Sequence, residues 1–166
     1  MDITIIIFLL GGLFLGWSLG ANDAANVFGT AVGTRMVRFK TAAIVCSIFV
    51  ILGAIISGAG TTETLGKLGA INALPGAFAS CVAAGISVYL MTKAGLPVST
   101  TQAIVGAIVG WNLYTGSATN IKVLITILGT WVLCPVIAGL IAMGFFTLTK
   151  NFILKRKIHI LRLDAY

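Results

Sequence analysis

Apolar residues fall into five runs along the chain, separated by short polar stretches. Residues 3–20 are apolar apart from Thr4 and Ser18 and lead directly into a polar cluster of Asn22, Asp23 and Asn26. Further runs cover 41–59, 74–92, 97–113 and 122–148. A membrane-spanning helix needs about 20 apolar residues, with a range of about 17–25. The second, third and fifth runs meet this easily; the first and fourth are marginal and polar at one end. A Gly- and Thr-rich stretch holding Glu63 and Lys67 reads as a loop between the second and third runs. The pattern predicts an all-α integral membrane protein of about five transmembrane segments with discontinuous or re-entrant helices. The membrane domain is expected over 1–149 and a basic cytoplasmic tail or linker over 150–166.

Glycine recurs at four-residue spacing, as Gly12, Gly16 and Gly20, as Gly29 and Gly33, and as Gly106 and Gly110. In lipid, such faces let helix backbones approach closely, so a compact bundle is expected.

Composition sharpens the picture. Of the 166 residues 58% are hydrophobic and 9% charged, too few polar groups to cover a water-soluble globule. The net charge of +7 is not gathered into a patch of the kind nucleic acid requires. Basic residues instead flank apolar runs, as Arg35, Arg38 and Lys40 and as Lys150, Lys155, Arg156, Lys157 and Arg162. If both groups are cytoplasmic, an odd number of crossings places the N-terminus outside and the C-terminus in the cytoplasm. Counting 97–113 as a crossing gives five, and the charge rule favours five. Cys46, Cys81 and Cys134 lie within apolar runs without metal-ligand spacing, and His159 sits alone in the basic tail. A phosphate-binding Walker loop and paired carboxylates are absent from the sequence, so the expectation is a carrier driven by an ion gradient, not an enzyme, with no organic cofactor.

Two constellations carry candidate chemistry. Asp23 alone among the acidic residues follows a long apolar run, and Asn22, Asn26, Thr30 and Thr34 recur every four residues beside it. Such a stripe offers carboxylate, amide and hydroxyl oxygens to a hard cation such as sodium, or else caps the first helix. The second is Pro97, Val98, Ser99, Thr100, Thr101 and Gln102, where a proline near a helix start and three hydroxyls describe the N-terminus of a short helix. Its first amides and the hydroxyls form an anion site, or the segment is a plain cap. No Lys or Arg lies deep in an apolar run to neutralise a bound anion. Cations bound beside it would supply the missing charge and couple the two movements.

Residues 20–34, GANDAANVFGTAVGT, and 95–106, GLPVSTTQAIVG, resemble the two hallmarks of the inorganic phosphate transporter (PiT) family, in the expected order. The resemblance covers about residues 1–150. It implies sodium/phosphate symport by alternating access through a multi-pass protein of the plasma membrane, built of two inverted repeats that meet at a central site. It implies phosphate contacts from Asp23 or its neighbours and from Ser99, Thr100 and Thr101, with Gln102 in the same turn, and sodium contacts from Asn22, Asp23 and Asn26. Many members carry His where this chain has Gln102, a difference that bears on proton against sodium coupling. Only one copy of each hallmark is present, so the chain is an N-terminal half whose partner is a separate polypeptide, a half that pairs with itself, or a fragment of a longer protein; a half that needs its companion is the expectation. Proton coupling, another tetrahedral oxyanion such as sulfate, a channel, and a non-transporting scaffold or receptor are the alternatives.

Overall fold

A computed structural model describes residues 3–69 and 74–151. Five helices follow one another: α1 (Ile3–Gly33), α2 (Phe39–Leu68), α3 (Leu74–Lys93), α4 (Thr100–Thr115) and α5 (Ile121–Thr149). No strand occurs among the described residues. α1, α2, α3 and α5 are each long and apolar enough to cross a membrane. The 16 residues of α4 rise about 24 Å, less than the hydrocarbon thickness of about 30 Å. Apolar side chains cover most of the outer surface, among them Ile55, Ile56, Leu13 and Phe49. In lipid that surface needs no polar cover, and the helical backbone satisfies its own amides and carbonyls.

The chain divides into two units, one up to Val123 and one from Leu124 onward. The second is essentially the remainder of α5, a single apolar helix with Pro135 inside it. Of the basic tail only Lys150 and Asn151 fall among the described residues. The rest, His159 included, lies outside them.

In the first unit α1 and α3 form the central pair. Phe8 meets Phe78 edge to face at 5.7 Å, Trp17 meets Tyr89 at 5.7 Å, and Asn22 meets Thr92. Partners advance together along both helices, so the two run parallel. Glycine makes this contact close: a Cβ at Gly11 would stand 2.7 Å from the Phe78 ring, and one at Gly85 would stand 2.6 Å from Phe14. α4 packs on α3 in the opposite direction, with the Trp111 indole against Gly76 near the start of α3. Ala84 and Val88 of α3 and Val105 and Ile108 of α4 are buried.

The loops follow local chemistry. α3 closes in a Schellman turn, with Gly95 at φ 73° and Leu96 N–H donating to the Met91 carbonyl at 2.9 Å. α4 closes likewise at Gly116, φ 69°, with Ser117 N–H donating to the Asn112 carbonyl at 2.8 Å.

Four expectations are corrected. The polar cluster does not interrupt the first segment, because α1 runs unbroken for 31 residues through Asn22, Asp23 and Asn26. The stretch around Glu63 and Lys67 is helical: Thr62 and Thr64 turn their hydroxyls onto the carbonyls of Gly58 and Gly60, and Lys67 pairs with Glu63 at 2.5 Å. Pro97 stands outside the short helix, two residues before its N-cap, Ser99. The four-residue glycine repeats are not what brings helices together, since a Cβ at Gly12, Gly16, Gly20, Gly29, Gly33, Gly106 or Gly110 would meet nothing within 4 Å. Gly16, Gly20 and Gly29 face an apolar groove of about 680 Å³ between α1 and α2, lined also by Phe28, Ala42 and Cys46.

Candidate functional site

The site lies where α1, the end of α3 and the start of α4 converge. α3 stops at Lys93, and the Schellman turn sends residues 96–99, outside any helix and with Ser99 extended, back towards α1. Pro97 helps fix that path, because a residue preceding proline is disfavoured in helical conformation. The Val98 carbonyl, free of any helix ladder, accepts from Asn22 Nδ2 at 2.6 Å. Ser99 then caps α4 by accepting from the Gln102 N–H at 3.3 Å.

Asn22 is 4% exposed and binds three elements at once. Besides Val98, its Nδ2 donates to Asp23 Oδ1 at 2.9 Å, and its Oδ1 accepts from Thr92 Oγ1 at 3.3 Å. Asp23 Oδ1 accepts a second bond, from Thr100 Oγ1 at 3.3 Å. Thr100 is the first residue of α4 and is 5% exposed. Asp23 is half-buried, and both of these bonds fall on one carboxylate oxygen.

The two constellations singled out in the sequence are therefore joined, through Asn22, Asp23 and Thr100. Asn26, Ser99, Thr101 and Gln102 are exposed around them. The Ser99 hydroxyl is spent on the cap, while Asn26 and the Thr101 and Gln102 side chains have no hydrogen-bond partner among the described residues. Thr30 and Thr34, also on the stripe, are exposed, and Thr34 bonds only to its own helix.

Two participants escaped sequence reasoning. Thr92 ends an apolar run and looks like an ordinary interfacial residue, and Val98 contributes a backbone oxygen that its side chain does not advertise. The proline one position earlier was the available signal, since it marks extended backbone with carbonyls to spare.

Electrostatically the arrangement is a contest for one position. The first amides of α4 have no intrahelical acceptors and carry the positive end of its dipole. The Asp23 carboxylate sits at that end, held through Thr100, where an exogenous anion would also be drawn. No group of three or more His, Cys, Asp or Glu able to hold a metal occurs among the described residues, so a cation here would meet one carboxylate with amide and hydroxyl oxygens.

Comparison with known proteins places this geometry. The model of the phosphate transporter family matches residues 19–164, and the chain belongs to that family of membrane transporters. It is 34% identical over 167 residues to a protein of Thermococcus kodakarensis provisionally named a phosphate permease, covering 95% of this chain and 41% of that protein. It is 33% identical over 156 residues to the sodium-dependent phosphate transporter of Plasmodium falciparum, covering 87% of this chain and 23% of that protein. The chloroplastic inorganic phosphate transporter 2-1 of Arabidopsis thaliana is 31% identical over 157 residues, covering 87% and 27%. The chain thus spans well under half the length of these relatives. No solved structure matches it.

Proposed function

We propose that this chain is one half of a carrier that moves inorganic phosphate together with sodium across the plasma membrane by alternating access. The half is completed by a second, inverted half or by another copy. In this reading the N-terminus faces outside and the basic tail faces the cytoplasm. Arg35, Arg38 and Lys40 after α1 and Lys93 at the end of α3 lie on one side, as cytoplasmic flanks should.

The observation that carries the reading is the bond between Thr100 and Asp23. Asp23 occupies the N-terminal end of α4 as a resident anion, and phosphate at the same helix end would meet it as a like charge. Sodium bound by Asp23, with Asn26 and the Asn22 amide beside it, removes that repulsion. The Thr100 and Thr101 hydroxyls and the first α4 amides are then released to phosphate, with Gln102 at the same turn. Neither ion is favoured alone, which is the physical content of symport. Asn22 Oδ1 already accepts from Thr92 and has one lone pair left for sodium, while its Nδ2 holds Asp23 and Val98 in place.

Protonation of Asp23 would neutralise the same charge, and proton coupling is the second reading that this geometry favours. Sulfate is the competing cargo, since hydroxyls and amides read tetrahedral shape coarsely.

The test is uptake of labelled phosphate into vesicles holding this chain with its companion half, under imposed gradients. Uptake should rise with an inward sodium gradient, resist competition by sulfate, and be absent for this chain alone; uptake by the chain alone means that another copy completes the site. Uptake indifferent to sodium but driven by pH selects the proton reading. Uptake indifferent to both removes the coupling argument.

A further inference from the structure

A second polar node lies at the far end of α4. Asn112 is 0% exposed, and its Nδ2 donates to Thr119 Oγ1 at 3.0 Å. Its Oδ1 is buried with no hydrogen-bond partner among the described residues. The side chain fills a socket left by Gly69, where any Cβ would collide with the Asn112 carboxamide. The Gly69 backbone is extended, φ −161°, a conformation open to every residue, so glycine is needed there for space alone. The same junction ties down the neighbouring chain, with Asn120 N–H donating to the Leu68 carbonyl at 3.0 Å. Leu68 itself is wholly buried.

A buried carboxamide whose oxygen finds no partner among the described residues is a poor filler, and leucine has the same branching without that cost, though it is bulkier. What the amide adds is direction. Its bond to Thr119, in the connection after α4, orients the carboxamide towards Gly69 at the end of α2, and Asn120 beside Thr119 is itself bonded to Leu68. Buried polar groups that fix register in this way are known from coiled coils.

We propose that Asn112 is a positioning residue that sets where Thr100 stands against Asp23. Twelve residues separate Asn112 from Thr100, about 18 Å of unbroken helix, which transmits an axial shift from one end to the other. The Thr100–Asp23 bond is already long for a hydroxyl donor at 3.3 Å, so slippage by one residue rise would break it. That this placement serves transport rests on the function proposed above; the placement itself does not.

The experiment measures distance between spin labels at Ala25→Cys on α1 and Gly106→Cys on α4, both exposed positions, with Cys46, Cys81 and Cys134 replaced by Ala and the chain in lipid bilayers. The parent should give one narrow distribution. Asn112→Leu and the milder Thr119→Val, which removes only the acceptor, should each shift or broaden it by about 1.5 Å or more, the rise of one residue, with helix content unchanged by circular dichroism. An unaltered distribution in a folded Thr119→Val protein, whether or not Asn112→Leu inserts, overturns the proposal. A shifted distribution with unimpaired uptake in the assembled carrier would uphold the positioning and count against the transport site instead.

Discussion

The two ends of α4 are held by opposite strategies. At the Thr100 end a half-buried carboxylate takes two hydrogen bonds on one oxygen, and exposed Asn26, Thr101 and Gln102 stand nearby. At the Asn112 end the carboxamide is sealed from all solvent and lies in a socket cut by Gly69. In the proposed function the first arrangement is the one exchanged for a ligand, and the second stays fixed. A short helix fixed at one end and exchangeable at the other has the mechanical form of a part that responds to what binds at its free end.

Three substitutions separate the two ends. Asp23→Asn should lower sodium-dependent phosphate uptake by about 100-fold, in keeping with loss of a charge-assisted site, and leave thermal stability within about 1 kcal/mol. Uptake retained at near parental levels would remove Asp23 from the mechanism. Gly69→Ala should do the reverse in weight. It overfills the Asn112 socket, costs about 1–3 kcal/mol in stability measured by thermal unfolding in detergent, and lowers uptake by less than Asp23→Asn does. A neutral Gly69→Ala would mean the socket yields easily and the far end is not fixed. Thr92→Val should have the smallest effect. It removes one long bond to Asn22, worth about 1 kcal/mol, and should raise the phosphate KM several-fold with little change in maximal rate.

Much of this was visible beforehand. Each of the five apolar runs corresponds to one of the five helices, because in lipid a continuous apolar stretch has few options besides helix, but α1 and α2 extend past theirs into polar sequence. Asp23 and Thr100 drew notice through chemistry at odds with their apolar setting, and they prove to be in contact. The errors have physical causes. Polar residues at 60–67 look like a loop when counted, yet in a helix Thr62 and Thr64 bond back to preceding carbonyls and Glu63 reaches Lys67 one turn on. Regular glycine spacing drew attention to Gly12, Gly16 and Gly20, while the glycines that admit a neighbour are Gly11, Gly69, Gly76 and Gly85. Which glycine is filled depends on where Phe14, Phe78, Trp111 and Asn112 arrive from elsewhere in the chain, and spacing within one helix holds no record of that. In sequence Asn112 is one polar residue near a segment end, and only its burial distinguishes it.

The pairing of α1 with α3, passing over α2, also bears on biogenesis. As the chain emerges from the ribosome, Asn22 and Asp23 reach the bilayer long before Thr92, Val98 and Thr100 have been synthesised. For that interval the Asp23 carboxylate has Asn22 beside it but not Thr100, and an ionisable group within a bilayer costs about 2.5–3.5 kcal/mol at its centre. Of these five helices α1 is thus made first, yet it completes its packing only once α3 and α4 have followed.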